Sequence, residues 1–237
     1  MSHSMTSSAM PARASAAQPT ARRANNTFSL ADAFQTFFSN LNAWILTGAT
    51  VAAVGTRAFI GDVCVSDLLL AGALVAFQPL QEWLIHVYIL HYKPRRVFGV
   101  MLDPEVCRKH RAHHRDPWTL SDVFIPRRTL LSLLPIHIAI WWLVTPSVGL
   151  MMTGLSATFG IGLLYEWTHF LIHTHYKPRS AVYKRIFRYH RLHHFKNEHY
   201  WFGVTMHSGD KLLRTMPGPR DVPTSPTARD LGGLAAS

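Results

Sequence analysis

The chain has 237 residues, of which 48% are hydrophobic and only 16% charged, a balance that excludes an intrinsically disordered protein. Lysine and arginine outnumber aspartate and glutamate by 24 to 13, and there are 15 histidines but only 2 cysteines. With only two cysteines, Cys64 and Cys107, the chain has no disulfide framework and no CxxC motif. A metal centre in this chain would therefore use imidazole and carboxylate ligands.

The first 27 residues contain no acidic side chain and no hydrophobic periodicity, and we expect residues 1–27 to form a disordered tail. A start rich in serine, alanine and arginine is also typical of an organellar transit peptide. From Phe28 the pattern changes, because apolar residues recur at three- and four-residue spacing as far as Ile45. This spacing predicts an amphipathic helix over about residues 28–42, lying in a membrane interface.

Four apolar segments are each close to the ~20 residues that cross a bilayer. We predict membrane spans over about residues 43–60, 68–91, 129–147 and 153–173. The last two spans come from a run of 37 residues, 129–165, that contains no charged side chain. Turn residues within 146–154 divide this run into two antiparallel helices. Mean hydropathy is only +0.07, but the uncharged run argues against the alternative, a soluble helical bundle.

The positive charge lies in two blocks, residues 93–128 and 177–229, which together hold 20 of the 24 lysines and arginines. If the four spans form two hairpins, both blocks emerge on the same side as the N-terminal arginines. The positive-inside rule makes that side cytosolic. We therefore predict an all-α, multi-pass integral membrane protein of a bacterial cytoplasmic membrane or an endoplasmic-reticulum or organellar membrane. The charge then needs no nucleic-acid partner to explain it.

Two segments of the chain repeat each other. Residues 82–95 read EWLIHVYILHYKPR and residues 166–179 read EWTHFLIHTHYKPR, with half of the positions identical. Each copy is followed by a second histidine cluster, HRAHH at residues 110–114 and HRLHH at residues 190–194. The two halves of the chain therefore look like equivalent contributors to one site.

Ten histidines in these clusters are the candidate metal ligands: His86, His91, His110, His113, His114, His169, His173, His190, His193 and His194. Helix positions three and four apart share a face, so each HxxHH cluster is expected to aim its imidazoles at a common point. His86 and His91 are five apart, about 140° from a shared face, and require a helix end, a wide turn or separate metals. Ten imidazoles exceed the needs of one ion and fit two. His175 aligns with His91 in the repeat and is a candidate extra ligand.

Two glutamates stand where the spans end, Glu82 four residues before His86 and Glu166 three residues before His169. Charged residues next to apolar spans usually have a partner. We expect each carboxylate to accept a hydrogen bond from the outer ring nitrogen of a ligand histidine and so to fix its tautomer. The alternative is a pair of solvated glutamates at the membrane interface.

At these residues the sequence resembles the fatty acid hydroxylase/sterol desaturase superfamily of integral membrane di-metal oxygenases, and most of all the fatty acid 2-hydroxylases. The likeness covers roughly residues 68–215, where it rests on EWLIHVYILH, HRAHH followed by FIP, THFLIH, and YHRLHHFKN followed by WFGVT. It implies that the ten histidines are the metal ligands. It also implies one hydroxylase-like domain over residues 28–220, a four-helix membrane bundle with a cytosolic helical cap that carries a histidine-rich di-metal site. We expect residues 221–237 to form a disordered tail.

The resemblance further implies an oxidoreductase in which two iron ions use O2 to hydroxylate a membrane lipid, with a fatty acyl chain as the favoured substrate. Zinc has no redox chemistry and would account only for an ion seen in a structure. Two electrons must come from outside. We expect no fused cytochrome b5 domain, and therefore a separate donor of the cytochrome b5 or ferredoxin type with its reductase. The basic blocks suit an acidic donor.

Other functions stay open on the ligands alone. A sterol or lipid desaturase and a lipid head-group hydroxylase would share the chemistry. A carotenoid hydroxylase is less favoured, because there the first two boxes lie close together, whereas 18 residues separate His91 from His110 here. The non-enzymatic alternatives are a histidine-rich metal transport or storage protein and a membrane scaffold with a structural metal. Irregular histidine tracts are typical of such storage proteins, unlike the spaced and duplicated clusters of this chain.

Overall fold

The structure, a computed structural model, describes residues 28–232, so that the expected tail over residues 1–27 and the last five residues, 233–237, lie outside the described residues. Its helices are α1 (Leu30–Phe37), α2 (Leu41–Ile60), α3 (Val65–Ile85), α4 (Glu105–Arg115), α5 (Arg127–Val144), α6 (Val148–Ile172), α7 (Ala181–Phe195) and α8 (Ser208–Leu212). A π-helical turn, His86–Leu90, prolongs α3, and a 3-10 turn covers Leu120–Asp122. Two short strands, β1 (Arg95–Val97) and β2 (Val100–Leu102), form an antiparallel hairpin with Arg95 opposite Leu102.

Four helical segments are long and apolar enough to cross a membrane: Leu41–Ile60, Val65–Leu90, Leu120–Val144 and Val148–Ile172. Only 17–28% of the residues in their apolar windows are buried inside the protein. Their remaining apolar side chains therefore point outward, where the hydrocarbon of a bilayer would cover them. The predicted fold class, a helical membrane bundle with four apolar helices, is confirmed.

Helix α6 is the centre of the bundle and packs against α2, α3 and α5. It approaches α5 closely at Gly154, where a Cβ atom would lie 2.5 Å from the ring of Trp141. The Trp141 indole also donates a hydrogen bond to the Thr158 hydroxyl at 3.0 Å. The short turn at residues 145–147 and these contacts hold α5 and α6 together as an antiparallel hairpin.

A buried ion pair explains the arginine in the otherwise apolar span α2. Arg57 Nη2 lies 2.8 Å from Asp67 Oδ2, and Arg57 Nε donates to the Thr153 hydroxyl at 3.1 Å. Asp67 is in the first turn of α3 and His86 follows its last residue. At 1.5 Å per residue, the ion pair is about 28 Å from the histidine end of the bundle.

Helix α1 is amphipathic, as its spacing predicts, but it ends at Phe37 and Leu41 already begins α2, so the predicted helix over residues 28–42 is interrupted at residues 38–40. Ser29 and Asp32 cap its first turn reciprocally. Ala33 and Phe37 are buried in a core cluster that also contains Phe170, whereas Leu30, Phe34 and other residues of the same helix are exposed. The cluster includes α6 residues next to His169 and His173, so this core supports the histidine end of the bundle.

Two features differ from the sequence-based expectation. The β-hairpin was not predicted, because strands of three residues are too short for an alternating pattern. The tail expected from residue 221 is ordered as far as residue 232: Ser225 N–H donates to Lys196 O at 2.7 Å, and Val222, Ala228 and Leu231 are buried. Its composition resembles that of disordered segments, but its backbone is bound to the end of α7.

Candidate metal centre

The ten histidines predicted as ligands form two groups, and in each group five ligand nitrogens lie within 4.8 Å of one another. The first group is His86, His91, His110, His114 and His193. The second group is His113, His169, His173, His190 and His194. His91 is half-buried and the other nine are buried. The structure thus brings all ten together, in two sets at one end of the bundle.

Each half of the chain contributes one histidine to the group that is formed mainly by the other half. On α4, His110 and His114 belong to the first group, but His113 belongs to the second; on α7, His193 belongs to the first group although its neighbour His194 belongs to the second. The expectation that each HxxHH cluster converges on a common point is therefore wrong. Adjacent helix positions differ by about 100°, so His113 and His114 diverge. Each half supplies four imidazoles to one group and a fifth to the other.

The π-helical turn explains how His86 and His91 reach the same group. His91 N–H donates to His86 O at 3.1 Å, the i to i+5 bond of a π-helix. The wide turn returns positions five apart to one face, and the two ring centroids are 4.9 Å apart. His169 and His173, four apart and also in one group, have the same separation of 4.9 Å. The wide turn predicted as one solution is present, and the alternative of separate metals for His86 and His91 is wrong.

His175, expected as an extra ligand, belongs to neither group. It is exposed, and its ring stacks on Trp118 with centroids 5.7 Å apart. The gapless alignment of the repeat pairs His175 with His91. Glu82 is one residue farther from His86 than Glu166 is from His169, and the π turn adds a second residue to the first copy, so His173 is the structural equivalent of His91.

Backbone carbonyls accept hydrogen bonds from the outer ring nitrogens of four of these histidines. The Nδ1 pairs are His86 with Phe202 O at 2.7 Å, His114 with Ala228 O at 2.8 Å, His193 with Tyr200 O at 2.8 Å, and His169 with Val123 O at 3.0 Å. A carbonyl oxygen can only accept, so each of these Nδ1 atoms carries the proton. Each Nε2 then has a free lone pair directed into its group.

The inner nitrogens fit a metal ion in each group. All five Nε2 atoms of the first group are buried without a hydrogen-bond partner among the described residues. In the second group, His113 Nε2 and His190 Nε2 lie 3.2 and 3.1 Å from His173 Nε2. Buried polar atoms without partners are costly and rare in folded proteins. Five convergent imidazole lone pairs are a donor set that suits iron, copper, nickel or zinc.

Burial also keeps these imidazoles in the form that binds metal. Removal from water lowers the pKa of His114 to about 3. The hydrogen bond to Ala228 O acts in the opposite direction but is the smaller effect. Burial, followed by the neighbouring imidazoles, lowers the pKa of His91, His110 and His113 well below the usual value. These histidines are neutral at neutral pH, and neutral imidazole is the ligand form.

Glu82 and Glu166 are only 4% and 2% exposed, which excludes the alternative of solvated glutamates. The expectation that they bind ligand imidazoles directly is also wrong. Glu82 accepts hydrogen bonds from the backbone N–H groups of Val204 and Thr205, and Glu166 accepts one from Ile125 N–H at 3.0 Å. Backbone carbonyls take the place next to the imidazoles because loops lie between these carboxylates and the rings.

Asp210 was missed at the sequence level. It is buried at the start of α8, where its two carboxylate oxygens accept from Phe202 N–H at 2.9 Å and Gly203 N–H at 2.7 Å. A single aspartate within a basic block has no spacing that distinguishes it from a solvated residue. Ala228 was missed because a carbonyl partner has no residue-type signature.

The four apolar helices and the two five-histidine groups at one end define a membrane protein with a histidine-ligated metal centre. The model of the family described as fatty acid hydroxylase matches residues 71–215, and the chain belongs to this family.

Curated relatives include two dihydroceramide fatty acyl 2-hydroxylases of Arabidopsis thaliana. FAH2 is 29% identical over 152 residues, which cover 62% of each chain. FAH1 is 29% identical over 141 residues, 57% of this chain and 55% of the relative. The chain therefore spans about three fifths of the length of these relatives.

The fold is similar to that of a solved structure described as full-length scs7p with only the hydroxylase domain visible. The TM-score is 0.63 at 21% sequence identity, over 77% of this chain and 69% of that chain. At this identity the likeness concerns the fold alone.

Proposed function

We propose that the protein is a membrane di-iron oxygenase that hydroxylates a lipid, most of all a fatty acyl chain, with O2 and two external electrons. The observation that carries this proposal is the pair of buried, neutral five-imidazole groups in a chain of the fatty acid hydroxylase family. The names of the two curated relatives support an acyl-chain substrate.

Each group would hold one metal ion through its five histidines. Iron suits the reaction, whereas zinc fits the same nitrogens but has no redox chemistry. When bound, the two iron ions supply the activation of O2, with one oxygen atom going to the C–H bond of the lipid and the other to water. Two electrons and two protons balance this reaction.

The residues of the chain fix the imidazoles and exclude water. The Phe202 ring packs against three members of the first group, with centroids 5.5, 5.5 and 5.2 Å from those of His86, His91 and His193. A water-poor site strengthens electrostatic interactions and prevents side reactions. The carbonyl partners hold four imidazoles in one tautomer, as outer hydrogen bonds do in metal sites generally.

The apolar part of the substrate would lie in the membrane-spanning part of the bundle. A cavity of about 350 Å³ lies between α3, α5 and α6, lined by Leu74, Phe77, Gln81 and other residues. Gln81 immediately precedes Glu82 and lies five residues before His86, about 7.5 Å along the helix. An acyl chain seated in this cavity would point along α3 toward the first group.

The electron donor would dock at the histidine end. Both basic blocks surround this end, and residues such as Arg95, Arg96 and Arg108 are exposed there. The positive-inside rule favours a cytosolic orientation. An acidic donor of the cytochrome b5 or ferredoxin type would be attracted to this surface by long-range electrostatics.

The experiment that tests the proposal is comparative lipidomics of cells that express the chain with a matched reductase. We expect a lipid product heavier by one oxygen atom, and its loss in His110→Ala and His193→Ala. His175→Ala is the matched control, because His175 is exposed and outside both groups, and should leave product formation unchanged. A product lighter by two hydrogens would indicate a desaturase instead. Full product formation in both ligand variants would contradict an enzymatic metal centre.

A further inference from the structure

We propose that three buried carboxylates, Glu82, Asp210 and Glu166, position the metal ligands through two loops rather than by touching the imidazoles. Each carboxylate accepts from one or two backbone N–H groups of a loop, residues 200–205 or 123–125, and a carbonyl of the same loop accepts from a ligand histidine. The inference rests on the metal centre of the proposed function but not on its reaction.

In the first loop, residues 200–205, four consecutive backbone N–H groups donate to two carboxylates. The pairs are Phe202 and Gly203 with Asp210, at 2.9 and 2.7 Å, and Val204 and Thr205 with Glu82, the second at 2.9 Å. The Thr205 hydroxyl donates to Glu82 as well. Glu82 and Asp210 therefore hold the backbone of this loop between them.

This loop needs such partners because its backbone is strained. Trp201 has a φ of +58°, a conformation that a bulky residue rarely adopts. At Gly203 a Cβ atom would lie 2.1 Å from Met206 O, so no other residue fits without a shift. In this strained stretch, the carbonyls of Tyr200 and Phe202 accept hydrogen bonds from two imidazoles of the first group. The two carboxylates thus hold the loop in the conformation that places both carbonyls beside ligand imidazoles.

The close packing of α8 against α3 places both carboxylates at this loop. At Gly209 a Cβ atom would lie 2.2 Å from Pro79 O, so α8 approaches the backbone of α3 directly. Asp210 follows Gly209 on α8, and Glu82 lies one turn beyond Pro79 on α3. Asp210 also accepts a hydrogen bond from the Thr215 hydroxyl at 2.6 Å.

The second copy of the sequence repeat, which contains Glu166 and His169, has the same arrangement with one carboxylate. Glu166 accepts from Ile125 N–H at 3.0 Å, and Val123 O, two residues earlier, accepts from His169 at 3.0 Å. In the first half the N–H of Val204 binds Glu82, and Phe202 O, again two residues earlier, accepts from His86. In both halves the glutamate stands about one helical turn before the histidine. Equivalent geometry in a duplicated frame points to an equivalent role.

The test measures metal release from the purified full chain. The protein is loaded with Co(II), and transfer of the ion to a chelator is followed by absorbance, which also reports the coordination of each ion. His91→Ala and His173→Ala, which each remove a ligand from one group, assign the two release phases. We expect Glu82→Ala and Asp210→Ala to accelerate release from the first group about 10- to 100-fold and leave the second group unchanged. Glu166→Ala should do the reverse.

Two further variants separate positioning from stability. Asp67→Asn removes a carboxylate of the buried ion pair about 28 Å away; it should lower the thermal midpoint and leave both release rates unchanged. Glu82→Gln keeps an oxygen that can accept from Val204 and Thr205, so it should release the ion of the first group nearly as slowly as the wild type. This variant tests the inference even where Glu82→Ala folds poorly.

Equal acceleration of both phases in Glu82→Ala, or unchanged release in a folded Glu82→Ala and Glu82→Gln, would overturn the inference. A wild-type chain that retains fewer than two ions would overturn the inference together with the proposed function. Two tightly held ions without lipid hydroxylation would contradict the proposed function alone.

Discussion

The two histidine groups come from a duplicated sequence but have unequal surroundings. In the first group, His86, His114 and His193 donate to carbonyls that all belong to residues 200–228, and His91 is half-buried. In the second group all five imidazoles are buried, and His169 donates to Val123 in the segment before α5. The first group therefore depends on the C-terminal part of the chain, while the second depends on the bundle itself.

The C-terminal segment, residues 217–232, is bound directly to the histidine-bearing helices. Arg229 donates from Nε to His114 O at 3.1 Å, and its guanidinium lies 5.2 Å from the centroid of the Phe195 ring. Ala228 O accepts from the same His114. A segment that contacts both α4 and α7 in this way links the stability of the first group to the chain terminus. We therefore expect the two metal ions to be released at different rates.

The largest effect should come from two adjacent ligands on α4. His114→Ala removes a ligand of the first group and His113→Ala one of the second, so each variant should retain one tightly bound ion instead of two. Metal analysis of the purified variants measures this, and loss of both ions together in each variant would break the distinction between the groups. Product formation should be abolished in both, because the proposed reaction needs the pair.

A truncation should produce the next largest effect. A chain that ends at Arg220 lacks Ala228 and Arg229, so His114 loses its carbonyl partner. We expect the affinity of the first group to fall about 10- to 100-fold, the usual cost of removing an outer hydrogen bond from a metal ligand. Chelator titration measures the affinity of each group. A chain that ends at Gly232 is the control, and weakening of the second group by the Arg220 truncation would contradict the account.

Two glycine variants should have the smallest effect on metal binding. A Cβ atom at Gly203 would lie 2.1 Å from Met206 O in the loop beside the first group, and one at Gly154 would lie 2.5 Å from the Trp141 ring within the bundle. Both Gly→Ala changes should lower the free energy of unfolding by about 1–3 kcal/mol, as overpacking does. Only Gly203→Ala should weaken the first group, which metal titration beside thermal unfolding would reveal.

The amino-acid sequence predicts those features whose signal is local. An uncharged run that reaches across a bilayer twice identifies α5 and α6 without reference to the rest of the fold. The ten ligand candidates stand out because their clusters recur in a duplicated frame. The spacing of His86 and His91 requires a helix end, a wide turn or separate metals, but it does not say which of the three is present.

Other features depend on where distant segments meet. The rotation between adjacent helix positions separates His113 from His114, but the partners of each depend on where α3, α6 and α7 lie, which no spacing within α4 encodes. The loop partners that Glu82 and Glu166 share in kind are backbone N–H groups, which every residue type except proline can offer. Residues 221–232 have a composition typical of disorder, and their order follows from contacts with α4 and α7.

The most direct test of the central claim is the mass of the lipid formed by the iron-loaded, membrane-reconstituted chain under ¹⁸O₂ with an electron donor. We expect a hydroxylated acyl chain that carries one ¹⁸O atom and is formed only while both histidine groups hold iron. A hydroxyl oxygen derived from water, or no product from a chain that retains both ions, would contradict it.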